Sequence, residues 1–189
     1  GDVGFNAIFL KASKDLLKIS KNFDLDFQDL NEFISLNEKR LLGLFSEENN
    51  NFLSQDLKTN NNLNIPSITN YFTLFADLND EKINKKLISN LKNHNSDEKY
   101  FFSSIDPKHE TFNEKRYWRG PVWINCNWLV YQGLKNKDKE YSNLLKKRTI
   151  DLIEEKGFHE YYSCKNGNVM GANNFSWSAS LYLDLVLEN

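Results

Sequence analysis

Apolar residues return every three or four positions through most of the chain, the spacing of one buried helix face. Phe5, Ile8, Phe9, Ala12, Leu16 and Ile19 predict an amphipathic helix over about Phe5–Ser20. Leu30, Phe33, Ile34, Leu41, Leu44 and Phe45 predict a second, with Asp26 or Asp29 placed to cap it. A polar stretch with asparagine clusters at Asn49–Asn51 and Asn60–Asn62 follows. Pro66 then starts a helix through Ile68, Tyr71, Phe72, Leu74 and Phe75, and Asp80 opens another through Ile83, Leu87, Ile88 and Leu91. Asn93–Lys115 reads as irregular, with Phe101–Pro107 as a short extended piece. From Pro121, which suits a first helical turn, the run Val122, Trp123, Ile124, Cys126, Trp128, Leu129, Val130, Leu134 is apolar nearly all round and predicts a buried helix. Tyr141, Leu144, Leu145, Leu152 and Ile153 mark a sixth helix stopping at Gly157. The seventh runs from about Asn174 through Trp177, Leu181, Tyr182 and Leu185. Seven helices and no convincing sheet make the chain all-α.

Composition narrows the partners. A length of 189 residues suits one domain, and 40% hydrophobic with 26% charged residues is ordinary for a soluble globular protein. A net charge of -2 gives no reason to expect nucleic acid or an acidic membrane surface. No stretch approaches the roughly 20 apolar residues of a membrane span. Cys126 and Cys164 lack C-x-x-C spacing, and His94, His109 and His159 are scattered, so neither disulfide framework, metal nor cofactor is expected. The chain opens GDVGFN and its only methionine is Met170. That start predicts a fragment or a processed product, with cytoplasm as the default compartment.

The densest chemistry lies in Arg116–Trp128, RYWRGPVWINCNW, which holds three of the four tryptophans. Aromatic planes cover the apolar faces of a pyranose, while Arg and Asn bond its hydroxyls. The same residues also fit an aromatic core helix behind a tight turn, since buried aromatics mostly pack. Asn125 and Asn127 interrupt the apolar run, and buried amides need partners.

YWRGPVWINCNW resembles a stretch of glycoside hydrolase family 63 and its relatives among glucosylglycerate, mannosylglycerate and processing α-glucosidases. A second match, GFHEYYSCKNGNVMGANNFSWSASLYLDL at Gly157–Leu185, resembles that family's Glu-Tyr-Tyr, glycine-bearing turn and Phe-Ser-Trp pattern. The likeness is dense after Lys115 and thin before it. It implies an inverting enzyme on an (α/α)6 toroid, of which residues 1–189 would be the C-terminal part, about the last seven helices, packing on a missing N-terminal half. A half-toroid would leave apolar helix faces exposed.

Inverting hydrolysis needs two carboxyl groups about 6.5–9.5 Å apart, one protonating the leaving oxygen and one deprotonating the attacking water. The resemblance puts the base on Glu160, among Phe158, Tyr161 and Tyr162 in a turn between two helices. Aromatic surroundings would raise its pKa, and phenol donors would lower it. The family's acid is a tryptophan-flanked aspartate upstream of the DVGFN-like segment, and none precedes Asp2. Without it the chain should not turn over. Asp2 and Asn6 also read more simply as a helix cap and a polar filler. The resemblance carries Tyr117, Trp118 and Trp123 onto the sugar subsite, with Gly120 allowing close backbone approach. Arg119 would orient a carboxylate or hydroxyl, or else form a structural salt bridge. Trp177 would close the pocket floor, or else pack. Gly171 and Asn173 read as the turn into the last helix. Ser163-Cys164-Lys165 departs from the family's Asp-Pro or Asn-Pro and would loosen the turn after Glu160. A small glucoside or mannoside of the glucosylglycerate or mannosylglycerate class is the expected substrate. An α,α-trehalase of family 37 is the rival enzyme, although NGNVMGANN lacks that family's glycine run. A non-catalytic carbohydrate-binding helical module is the rival outside enzymes.

Overall fold

The computed structural model describes residues 1–23, 25, 27, 29–94 and 99–188. The chain divides into two compact units. Gly1–Ile65 with Asn70–Asn90 form the first, and Pro66–Thr69 with Leu91–Asn189 form the second.

In the first unit, helix α1 (Val3–Asn22) packs on helix α2 (Leu30–Leu42). Asp2 caps α1, its Oδ1 accepting the Phe5 amide at 2.7 Å. Asn6 Nδ2 donates back to the Asp2 carbonyl at 2.6 Å, so the simpler reading of both residues describes their local bonding. Asp29 precedes α2 but makes no side-chain cap, and Asp26 lies outside the described residues. The buried side of α1 is Val3, Gly4, Ala7, Leu10 and Ser13. The periodicity selected the other side, since Phe5, Ile8, Phe9, Leu16 and Ile19 are all exposed. Phe9 meets Phe33 of α2 edge-on at 5.6 Å.

Two small hairpins follow where no sheet was expected. Strand β1 (Phe45–Ser46) pairs antiparallel with β2 (Asn51–Phe52), and β3 (Ser54–Gln55) with β4 (Asn62–Leu63). The second predicted helix therefore stops at Leu42. Phe45 instead faces Phe52 across a strand pair, their rings edge-on at 5.2 Å. Asn50 and Asn60 turn these hairpins with positive φ, which asparagine tolerates better than most residues. The helix predicted from Pro66 is only a 3-10 helix, Ile68–Thr73. Helix α3 (Glu81–His94) is capped by Asp80, whose Oδ1 accepts the Ile83 amide at 2.9 Å.

In the second unit, helices α4 (Ile124–Leu134), α5 (Lys139–Lys156) and α6 (Ser176–Leu187) pack together. Strands β5 (His159–Tyr162) and β6 (Val169–Asn173) form a hairpin between α5 and α6. Tyr100, Val122, Ile124, Leu152, Ile153, Tyr162 and Cys164 make one buried cluster. Asn127 finds the partners its burial demands. Its Oδ1 accepts the Phe102 amide at 2.9 Å, and its Nδ2 donates to the Phe101 carbonyl at 2.8 Å and to Thr149 Oγ1 at 3.2 Å. The short extended piece expected over Phe101–Pro107 bridges Ser67 and Val122 through Ile105 and Ser103, and its first five residues are buried, which the sequence did not indicate.

The central helix begins three residues later than expected. Pro121 and Val122 remain extended, because Val122 bridges Ser103 on one side and Tyr162 on the other. Among the described residues the chain has six α-helices and one 3-10 helix, and no helix is long and apolar enough to cross a membrane.

Candidate active site

Glu160 lies on a strand and not in a turn. The turn of the β5–β6 hairpin is 163–168, and it is tightly bonded despite its unexpected sequence. The Ser163 amide donates to the Asn168 carbonyl at 2.9 Å, and Ser163 Oγ accepts from the amides of Lys165 and Asn166 while bonding the Glu114 carboxylate. Ser163 and Cys164 are both buried. The expected loosening of this turn is not seen; a serine hydroxyl does locally what a proline would do by stiffness.

Pairing in the hairpin runs His159 with Asn173, then Tyr161 with Met170, so Gly171 and Ala172 together oppose Glu160. Such a bulge twists a strand locally and re-aims its side chains. Gly171 has φ +73, and a Cβ there would lie 2.5 Å from Glu160 Oε2 and 2.6 Å from Tyr161 Cε1. Only glycine fits both the backbone angle and the gap. Gly171 and Asn173 thus belong to β6 and do not form the turn into α6. The bulge frees the Ala172 amide, which donates to Glu160 Oε2 at 3.0 Å.

The other carboxylate oxygen, Oε1, accepts the Tyr117 hydroxyl at 2.6 Å. This phenol and the Ala172 amide hold the Glu160 carboxyl below the usual glutamate value, because both bonds favour the charged form. The same hydrogen bond to Glu160 raises the Tyr117 phenol. The two tyrosines adjacent to Glu160 do other things. Tyr162 is buried, its hydroxyl donating to the Gly157 carbonyl at 2.7 Å. Tyr161 stacks on Trp123 at 4.9 Å.

Trp118, Trp123 and Tyr161 form an aromatic stack with Tyr117 against its edges. Trp118 and Trp123 lie 4.3 Å apart and 7° from parallel. Tyr117 meets Trp118, Trp123 and Tyr161 edge-on at 5.9, 4.7 and 5.3 Å. Trp123 is stacked on both Trp118 and Tyr161 and only 3% exposed, so it supports the stack and offers a sugar little surface. Tyr117 and Trp118, at 48% and 45%, are the open faces. The antiparallel bridge Val122–Tyr162 joins this segment to the hairpin, with amide-to-carbonyl bonds of 2.8 and 3.0 Å in the two directions.

Gly120 is buried, and its close approach is to its own chain. A Cβ there would sit 2.4 Å from the Asn113 carbonyl oxygen and 2.8 Å from Glu114 Cα. Arg119 spends its Nε on the Thr111 carbonyl at 2.9 Å, and its own carbonyl accepts the Asn113 amide at 2.7 Å. Both residues shape the 111–120 loop that presents Tyr117 and Trp118. Trp177 lies in the first turn of α6, half exposed, and is not a member of the stack. The Ala172 amide and the Tyr161 ring were not anticipated. The glycine at 171 was their visible signal, but its role as a bulge depends on a strand register that periodicity did not suggest. Among the described residues, no group of three or more His, Cys, Asp and Glu is gathered to hold a metal ion.

A family model described as the mannosylglycerate hydrolase MGH1-like glycoside hydrolase domain matches residues 1–178. The chain belongs to that family. Mannosylglycerate hydrolase of Thermus thermophilus is 34% identical over 185 residues, covering 96% of this chain and 44% of that protein. The crystal structure of a GH63 mannosylglycerate hydrolase from Thermus thermophilus with Tris and D-glycerate superposes with a TM-score of 0.92 at 32% identity, over 97% of this chain and 46% of the other. Neutral trehalase of Saccharomyces cerevisiae gives 0.77 at 17% identity, over 96% and 36%, a likeness of fold alone. This family member is thus a partial (α/α)6 toroid spanning less than half the length of the curated relatives it matches.

Proposed function

We propose that this chain carries the general-base half of an inverting α-glycosidase acting on mannosylglycerate or glucosylglycerate. The observation that carries the reading is Glu160, ionised, with one donor on each carboxylate oxygen, beside the open rings of Tyr117 and Trp118. The family membership and the D-glycerate bound in the Thermus thermophilus enzyme support the substrate class.

In this reading Tyr117 and Trp118 wall the sugar subsite while Trp123, Gly120 and Arg119 hold that wall in place. Trp177 stands at the start of α6 as a more distant part of the floor. A water molecule attacks the anomeric carbon from the side opposite the leaving oxygen, and Glu160 takes its proton as the new carbon–oxygen bond forms. The old bond breaks as a second carboxyl group protonates the leaving oxygen, giving a sugar of inverted configuration and glycerate. We assign that acid to the portion of the relatives that this chain does not span, and the exposed apolar side of α1 to the packing of residues 1–189 on that portion.

Glu160→Gln in the natural protein tests the base. Turnover should fall by about 10²–10⁴-fold, while glycoside affinity changes little. A Glu160→Gln protein of normal kcat would sink the assignment, and release of the α-anomer as first product, seen by proton NMR, would sink inversion.

A further inference from the structure

The half-exposed Tyr117 ring is braced by three other aromatic rings. It meets Trp118, Trp123 and Tyr161 edge-on. The Tyr117 carbonyl accepts the Trp123 indole Nε1 at 2.9 Å, so a ring that braces the side chain also anchors its backbone. Its hydroxyl donates to Glu160 Oε1 at 2.6 Å. The other carboxylate oxygen meets the Ala172 amide, fixed by the bulge at Gly171. A carboxylate has about four acceptor sites. With one taken on each oxygen by donors on different chain segments, the plane of the group is set. The lone pairs left for water have a defined direction.

We propose that Tyr117 is the positioning residue of the general base: it fixes the plane of the Glu160 carboxylate and keeps it charged, in addition to walling the sugar subsite. This rests on the reading of Glu160 as the base. A phenol that donates to a carboxylate favours its ionised form. Glu160 therefore remains a base at lower pH than it would beside a silent aromatic ring. The aromatic stack then has a second use beyond contact with sugar, because it determines where one hydroxyl points. A purely structural Tyr117 would leave the pH dependence of turnover untouched.

The test is the pH profile of the natural protein and its Tyr117→Phe variant with mannosylglycerate and glucosylglycerate. The acid limb of kcat/KM should move up by about one pH unit in the variant. At its optimum, kcat should fall about tenfold while KM stays within about threefold. An unmoved limb with raised KM and unchanged kcat would overturn the proposal and leave Tyr117 as a sugar contact only. Should the phenylalanine variant fail to fold, 2,3-difluorotyrosine at position 117 keeps the shape while strengthening the donor. It should move the limb down, and an unmoved limb would again overturn the proposal. If the natural protein, with the portion assigned the acid included, hydrolyses neither glycoside, the glycosidase reading fails instead. A carbon-13 titration of the Glu160 carboxyl then decides the inference separately, with an upward shift expected on Tyr117→Phe and no shift counting against it.

Discussion

Helix α1 and the hairpin β5–β6 show two ways in which a sequence specifies structure. In α1 a repeating pattern fits a helix with two apolar sides. Val3, Ala7 and Leu10 form one, Phe5, Ile8, Phe9, Leu16 and Ile19 the other, and the chain buries the side with smaller residues. In the hairpin nothing repeats. A single glycine with φ +73 opens a bulge, and the bulge aims one amide at one carboxylate. Periodicity specifies an element without specifying its inward face. A singular residue specifies a local geometry that no neighbouring pattern can supply. The site is built by the second kind of information, so its tolerance to change should be narrower than that of the helix.

The largest expected contrast lies within α1. Leu10 is 1% exposed and Phe5 is 80% exposed. Leu10→Ala in this chain should lower its unfolding free energy by about 3 kcal/mol, the usual cost of a buried leucine truncation. Phe5→Ala should change it by less than about 0.5 kcal/mol. Urea denaturation of the two variants measures both. A large loss at Phe5 would break the comparison, because the bulky side of the helix would then be covered.

Next comes the glycine of the bulge. Gly171→Ala must hold a side chain at positive φ and push against Glu160 Oε2, at a cost of about 2 kcal/mol. Displacing the carboxylate should also lower kcat in the natural protein by about 100-fold, since small misplacements of reacting groups are that costly. Gly43 is the matched control. It has φ −65, and an added Cβ would meet the Arg40 carbonyl oxygen at 3.3 Å. Gly43→Ala should be neutral or mildly stabilising, by less than about 1 kcal/mol. Equal effects at both glycines would remove the distinction between them.

The same distinction explains what was legible in the sequence. The helices α1, α3, α5 and α6 follow from apolar spacing, and Asp2, Asp80 and Gly157 mark ends that the structure bears out. The hairpins were not legible, because strands of two to five residues carry too few positions for alternation to register. Pro121 suggested a helix start, but the bridges of Val122 to Ser103 and Tyr162 overrode that local preference. Glu160 is nominated by resemblance alone, and the phenol that bonds it is Tyr117 and not the neighbouring Tyr161 or Tyr162. Tyr117 is 43 residues away in sequence, and long-range pairing such as the Val122–Tyr162 bridge and the Ser163–Glu114 bond brings the two segments side by side. Gly120 and Arg119 were read as sugar-facing, and their partners in the structure are other parts of their own loop, a pairing that the motif by itself does not reveal.

The smallest expected effects separate two helix caps that look alike in sequence. Asp2 accepts the Phe5 amide at 2.7 Å, and Asp138 accepts the Tyr141 amide at 3.1 Å at the start of α5. Asp138 has a second partner, Lys92 Nζ at 2.6 Å, and this bond holds its carboxyl below the ordinary value of 3.8. Replacing a capping aspartate by alanine costs about 1 kcal/mol. Asp138→Ala should therefore cost somewhat more, about 1.5 kcal/mol, and Asp2→Ala about 1 kcal/mol, both read from urea midpoints at constant m. The contribution of Asp138 also depends on pH. A carboxyl whose pKa is lowered by folding binds fewer protons in the native state, so its contribution is complete above 3.8 and disappears as pH falls through the lower native value. The stabilities of Asp138→Ala and the unaltered chain should begin to approach each other as pH falls below 3.8 and should converge only below the lowered native value. Persistence of the full difference there would mean that the carboxyl caps α5 equally well when protonated, leaving the bond to Lys92 without a role in holding that helix.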